Sequence, residues 1–192
     1  MKLGIKQNIQ QTLRASSQAD TKIVRSIIKD NLLSDFNNQT TGFLVNYPNR
    51  EEYKTRLINN KCNIITELEG KIIGALINFS SEEIQEQISQ GCLLYEKGIF
   101  DKLFKLNDKF IWLDQLVIHP RKYRRKGYSK QMIECTLEAC EKDGYLDFYC
   151  MISVFPETNI PSINLMTKLG FKVMDTQQIN NRQWVILHKS LQ

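Results

Sequence analysis

The stretch HPRKYRRKGYSKQM, His119 to Met132, places six cations (Arg121, Lys122, Arg124, Arg125, Lys126 and Lys130) around Gly127, with no acid among them. An apolar run precedes it and a helical pattern follows, so the chain passes from strand to helix through like charge. A helix that begins at a glycine right after a strand points unpaired N–H groups and a positive dipole end into the connecting loop. Glycine lets a ligand approach the main chain, and Lys and Arg neutralise it. The chemistry that fits is the binding of a compact anion carrying several negative charges; the plainer reading is a solvated loop. Just upstream, Asp114 sits inside FIWLDQLVI, an otherwise apolar run. An acid there is costly unless paired. Strict alternation puts it on the face of Leu116 and Ile118. Asp114 is either a base acting beside the anion site or the partner of a salt bridge or turn.

The rest of the chain restricts the classes. A length of 192 residues suits one sizeable core and a single domain over 1–192. The hydrophobic fraction of 42% and charged fraction of 24% are ordinary for a globular protein. Net charge is +5, and the basic loop alone supplies more than that, so the anionic partner is small rather than a nucleic acid. The five cysteines (Cys62, Cys92, Cys135, Cys140, Cys150) form no C-x-x-C pair, and His119 and His188 are the only histidines. That set predicts reduced core thiols and no metal site. The start, MKLGIKQNIQ, carries no apolar leader, and no run approaches a membrane span. The expectation is a cytoplasmic protein with no membrane partner.

The elements that must position the loop follow from periodicity. A strand is predicted near Ile9–Ala15, then a helix from about Asp20 with Ile23, Val24, Ile27, Ile28 and Leu32 on one face. Asn49 reads as the N-cap of REEYKTRLIN. Cys62–Leu68 and Lys71–Phe79 form a hairpin about Glu69-Gly70. SSEEIQEQIS reads as a capped helix and LLYEKGIFDKLF as a second short helical or irregular piece before Phe110–Ile118, a central strand with apolar residues on both parities. A helix runs from Gly127 to Asp143 with Met132, Ile133, Thr136, Leu137 and Cys140 inward, closed by Gly144. Tyr145–Val154 is a strand, Ser162–Leu169 a short helix, and Phe171–Met174 and Trp184–Lys189 closing strands. This order predicts an α/β or α+β sheet of mixed direction.

LDQLVIHPRKYRRKGYSKQMIECTLEAC resembles the acyl-CoA-binding motif of the GNAT N-acetyltransferase superfamily, an apolar strand, an x-Pro step, then [Gln/Arg]-x-x-Gly-x-[Gly/Ala] opening a helix. Here the last part is Arg124-Arg125-Lys126-Gly127-Tyr128-Ser129. Further on, NIPSINLMTKLGFKVM resembles the second motif, with Asn159, Ser162, Lys168, Gly170 and Phe171 on its positions. Within the superfamily the chain most resembles a branch of bacterial acetyltransferases with no agreed substrate, which share an aspartate in the central strand. The resemblance implies a mostly antiparallel twisted sheet of six or seven strands with a splayed central pair.

It also implies an acetyl-CoA-dependent N-acetyltransferase that moves acetyl to a primary amine by direct attack in a ternary complex. The pyrophosphate of acetyl-CoA would rest on the amides from Arg125 to Ser129, with Arg124 beside them. Pantetheine would pair with the main chain of Leu116, Val117 and Ile118, the Val117 N–H would hold the oxyanion, and Asn159 would hold the arm's other side. Asp114 would deprotonate the amine, with Glu157 a second, more solvent-exposed candidate. Ser129 departs from Gly/Ala only by a hydroxyl. Met166 stands where many members carry a tyrosine that protonates the leaving thiolate, and a thioether cannot donate a proton. Tyr123, Tyr149 or water would then serve, or the thiolate leaves unassisted, or the protein is a CoA-binding sensor or inactive relative.

Other residues read as structural: Trp112 and Trp184 as packing, Tyr95, Phe100 and Phe104 as buried rather than lining an acceptor pocket, and His119 as a turn residue. Tyr123 and Tyr128 could stack on bases, but a basic cluster confined to one loop argues against a nucleic-acid partner. The acceptor amine is unspecified. The closing strand Trp184–Lys189, if exposed, could pair two subunits into a homodimer.

Overall fold

The computed structural model describes residues 11–32, 44–45, 57, 62–91 and 96–192. Seven strands form one sheet: β1 (Gln11–Ala15), β2 (Ile64–Leu68), β3 (Lys71–Ser80), β4 (Phe110–Ile118), β5 (Asp147–Phe155), β6 (Lys172–Ile179) and β7 (Arg182–Ser190). Their spatial order is β1-β2-β3-β4-β5-β7-β6, antiparallel throughout except for β4 beside β5. Five α-helices lie in the described residues: α1 (Thr21–Lys29), α2 (Ser81–Ser89), α3 (Lys97–Leu106), α4 (Tyr128–Lys142) and α5 (Ile160–Lys168). The mixed, mostly antiparallel sheet flanked by helices is the architecture the resemblance implies.

Local chemistry accounts for the boundaries. The β2–β3 hairpin turns through Glu69 and Gly70, both at positive φ (51° and 74°), which is the two-residue turn that matches strand twist. Ser80 caps α2 in a capping box with Glu83, its hydroxyl accepting from the Glu83 N–H at 3.2 Å. Helix α4 starts after Gly127 at φ 89° and ends before Gly144 at φ 82°.

Each face of the sheet is covered. Helices α4 and α5 bury Met132, Ile133, Cys140 and Met166 against Ile64, Leu76, Ile111, Leu113, Phe148 and Leu187. On the opposite face α1 packs Val24, Ile27 and Ile28 against Ile65, Ala75, Ile77 and Val117. Helices α2 and α3 extend that face with Ile84, Phe100 and Leu103 over Phe79, Phe110 and Trp112. The long connection before β4 is therefore a second helical cover, and β4 is buried on both sides as its two-parity pattern predicts. The buried thiols of Cys62 and Cys140 touch at 3.2 Å and serve as packing atoms.

Several expectations are corrected. Ile23 is 48% exposed, outside the buried stripe of α1. The strand predicted over Phe171–Met174 runs on to Ile179. Strand β7 is not an edge: the β6–β7 hairpin folds back so that β7 lies between β5 and β6, and the open edge is β6. Trp184–Lys189 thus has both neighbours and cannot join subunits by strand pairing. The Asn49-capped helix and Tyr95 lie outside the described residues, although Leu57 is helical and buried. No described helix is long and apolar enough to cross a membrane.

Gly74 lets β3 approach β4. A Cβ there would lie 2.5 Å from Ile118 Cδ1, 2.7 Å from the Val117 carbonyl oxygen and 2.8 Å from Thr66 Cγ2. Backbone cannot yield as a flexible side chain can, so Gly74→Ala is expected to cost about 1–3 kcal/mol, read by urea denaturation.

Candidate active site

The central strands part. β4 and β5 pair in register only from Phe110–Asp147 to Leu113–Cys150, although β4 continues to Ile118 and β5 to Phe155. The parting begins at a bulge: Ile77 faces Gln115 and Asn78 faces Leu113, leaving Asp114 without a counterpart on β3. The bulge also shifts the parity of β4. Leu113, not Asp114, shares a face and a core cluster with Ile118, and Leu116 packs there too. Strict alternation therefore misplaces Asp114, which is half-buried and lines the gap.

The strand register also sorts the main-chain groups. The His119 N–H donates to the Ile73 carbonyl of β3 at 2.7 Å. Alternation turns the Val117 N–H the same way, into the sheet, and turns Leu116 and Ile118 toward the gap. The Ile118 carbonyl confirms the direction, since it accepts from Arg124 Nε at 3.1 Å. The oxyanion role expected of the Val117 amide thus does not fit; the available amides are those of Leu116 and Ile118.

Two cavities meet in the gap. The first, about 630 Å³, lies between Leu116–Ile118, the loop Tyr123–Lys130 and the start of α5. Its described lining carries Arg124, Arg125, Lys130 and Lys168 and no acid. Here α4 begins without a side-chain cap, and its first intrahelical bond runs from the Gln131 N–H to the Gly127 carbonyl. The amides of Tyr128, Ser129 and Lys130 therefore have no helical acceptor. Arg125 stands at φ 60° and Gly127 at 89°, and a Cβ on Gly127 would meet nothing within 4 Å, so the loop is open at that point. Asn31, which the sequence reading passes over, also lines this cavity. It is 4% exposed, its Nδ2 donates to the Ile27 carbonyl, and its Oδ1 is buried with no partner. A ligand bearing N–H or O–H groups along its arm, as the pantetheine of acetyl-CoA does, fits that orphaned acceptor.

The second cavity, about 470 Å³, holds Asp114, Glu96, Asn159, Ser153 and Arg182 among apolar walls that include Phe100, Trp112 and Trp184. Leu44, Leu116, Ser162 and Leu165 line both cavities and mark where they join. Asn159 is buried as the N-cap of α5, its Oδ1 accepting from the Ser162 N–H at 3.3 Å. Glu157 corrects the exposed reading: it is 7% exposed and its carboxylate receives Arg182 Nη1 at 2.7 Å. The same Nη1 reaches Ser153 Oγ at 3.2 Å, and Ser153 Oγ donates to the Glu157 carbonyl at 2.9 Å. No signal in the sequence links positions 157 and 182, which meet only because β7 lies beside β5.

The alternatives for the missing proton donor separate as well. Met166 is buried at 3% and lines the second cavity. Tyr149 lines neither cavity; it packs edge-on against Phe110 and stacked on His188, and burial pushes its hydroxyl up to about 12. Tyr123 lines only the first cavity, packed on the core and capped by Lys122 Nζ at 4.9 Å from its ring centre. Tyr123 and Tyr128 are both partly buried and packed against the core. His119 is held by Asn31, 3.4 Å from its Nδ1, beside the first cavity. Among the described residues no cluster could hold a metal ion.

A cleft lined by cations and by helix amides without helical acceptors opens through the strand fork onto a second chamber that holds a carboxylate. The profile of the Acetyltransferase (GNAT) family matches residues 30–171, and the chain belongs to that family. It is an acetyltransferase with acetyl-CoA as co-substrate. No curated protein matches the sequence. Among solved structures, the Escherichia coli ribosomal-protein-S18-alanine N-acetyltransferase superposes with a TM-score of 0.64 at 13% identity, over 95% of this chain and 94% of that one. The Drosophila melanogaster polyamine N-acetyltransferase gives 0.65 at 11%, over 94% and 100%. Arabidopsis thaliana Naa50 in complex with the bisubstrate analogue CoA-Ac-MVNAL gives 0.64 at 14%, over 95% and 99%.

Removing Glu157 would leave the Arg182 guanidinium enclosed beside an apolar wall. Glu157→Ala is expected to cost about 3 kcal/mol, and Glu157→Ala with Arg182→Met to recover much of it, read by thermal or urea unfolding.

Proposed function

We propose that the protein transfers acetyl from acetyl-CoA to a primary amine by direct attack in a ternary complex, on the support of two cavities, one with cations in its described lining and one holding the carboxylate of Asp114, that join at the strand fork. The amides from Arg125 to Ser129 receive the pyrophosphate, with Arg124, Lys126 and Lys130 offsetting its charge. Leu116 and Ile118 offer main-chain groups to the pantetheine amides as an added strand would, and Asn159 bounds the arm on the α5 side. The Ile118 carbonyl, already bonded to Arg124, keeps a second lone pair for this.

A free alkyl amine is protonated near neutral pH, with a pKa of about 10. Asp114 takes one proton from the ammonium, directly or through water, which frees the lone pair that forms the N–C bond; the bonded nitrogen then gives its second proton to solvent. The thioester oxygen takes up the charge and accepts from a gap-facing amide of Leu116 or Ile118, which needs no reorganisation. Collapse breaks the C–S bond and the thiolate departs. An ordinary thiol has a pKa of about 8.5, so the leaving group can depart without an acid at Met166 and be protonated by solvent.

The thioether of Met166, which cannot protonate the leaving thiolate, motivates the second reading, a CoA-binding sensor. Thiol release in the presence of acetyl-CoA and an amine separates the two: steady turnover supports transfer, and tight binding without release supports the sensor.

Asp114→Asn is expected to lower kcat by about a hundredfold or more with little change in acetyl-CoA affinity, and unchanged kcat would remove Asp114 from the mechanism. Gly127→Val would project a side chain into the open loop at a strained φ. We expect acetyl-CoA binding to weaken about tenfold or more with an unchanged far-UV circular dichroism spectrum, read by isothermal titration.

A further inference from the structure

We infer that the acceptor is an amine that also carries a neutral carbonyl, of the amino-amide class, and that the indole N–H of Trp184 donates to that carbonyl; this rests on the acetyl-transfer reading and specifies its second substrate. Trp184 lines the chamber beyond the strand fork, and its Nε1 is buried with no hydrogen-bond partner among the described residues. An indole nitrogen can only donate, and a buried donor without an acceptor costs free energy. Packing alone would be served by an apolar ring such as Phe, which carries no such cost. The residue is fixed at the chamber wall, because β7 pairs it with Ser153 of β5 on one side and Gln177 of β6 on the other.

A second donor stands beside it. Arg182 lies two residues back along β7, hence on the same face, and lines the same chamber. Its Nη1 is engaged by Glu157 Oε2 at 2.7 Å and by Ser153 Oγ at 3.2 Å, while its Nε and Nη2 make no hydrogen bond to the described residues. Trp184 and Arg182 thus present N–H groups and no acceptor. A carbonyl oxygen has lone pairs and no proton, so it can take either donor or both. A hydroxyl would bring a proton that neither group accepts. A carboxylate would compete with Glu157, itself 7% exposed, for a guanidinium that Glu157 already matches, and would stand beside it as like charge. Neither donor lines the first cavity, so the oxygen they address belongs to the acceptor rather than to acetyl-CoA. Phe100, Trp112 and Ile179 supply apolar wall for the carbon chain between the amine and the amide.

The test uses thiol release with glycinamide, β-alaninamide and 4-aminobutanamide, each against the alkylamine of the same shape: isobutylamine, isopentylamine and 4-methylpentylamine. We expect at least one amide to exceed its alkyl counterpart by about tenfold in kcat/KM, and β-alanine to be slower than β-alaninamide. Trp184→Phe should bring the favoured amide's ratio toward one. The intrinsic reactivity of each amine is the same with either protein, so the change in ratio reports the N–H. Should Trp184→Phe fail to fold, 3-benzothienylalanine in place of Trp184 keeps the two-ring shape without the N–H and makes the same comparison. No amide preferred over its counterpart, β-alanine faster than its amide, or a preference that survives loss of the N–H would overturn the inference. Should acetyl-CoA bind without thiol release from any amine, the transfer reading fails separately. Titration of the amides into the CoA complex then decides the ligand class, with saturable binding weakened about tenfold by Trp184→Phe in support and no binding against.

Discussion

Two parallel strands that separate while both continue leave facing rows of backbone groups without sheet partners. In this protein that separation starts after Leu113 and Cys150, and the site depends on it. Backbone N–H and C=O groups need partners, and a gap between strands offers them to a ligand that carries its own amides. The bulge that opens the gap consists of Asp114, so the acid is presented where the pairing fails. Carboxylate placement and ligand access thus come from one local irregularity rather than from two separate features.

The gap opens on one side only because β4 is held firmly on the other. Gly74 lets β3 approach β4 closely, and Val117 seals the face beneath α1. With one edge of β4 committed to β3, its remaining groups at Leu116 and Ile118 turn outward. The described linings then differ: cations of the β4–α4 loop and Lys168 on one side, Asp114, Glu96 and Arg182 on the other. The buried Arg182–Glu157 pair ties the β6–β7 hairpin to the end of β5.

Much of this architecture was legible in the chain. The hairpin about Glu69-Gly70, the capped helix after Ser80, the two-sided strand Phe110–Ile118 and the helix from Gly127 to Asp143 all carry their signals in neighbouring residues. The basic loop could be read for the same reason, since a glycine turn that opens a helix is built within a few positions, whereas Asn159 was marked only by the family motif and its capping of α5 is seen in the structure. Alternation fails where it runs through an irregularity or across the sheet. Asp114 falls off the parity that alternation predicts because one unpaired residue reverses every side chain beyond it. The direction of the Val117 amide is not written in the sequence, because which edge of a strand is free depends on the neighbour.

What the sequence determined by itself was the set of elements, the basic loop at the start of α4 and the family motifs, because each depends on residues close along the chain. What only the tertiary structure decided was the order β5-β7-β6, the burial of Glu157 against Arg182, the orphaned Oδ1 of Asn31 and the joining of the two cavities at the strand fork. These rest on pairings between distant segments. The free energy of such a pairing belongs to neither segment alone, so no local pattern records it.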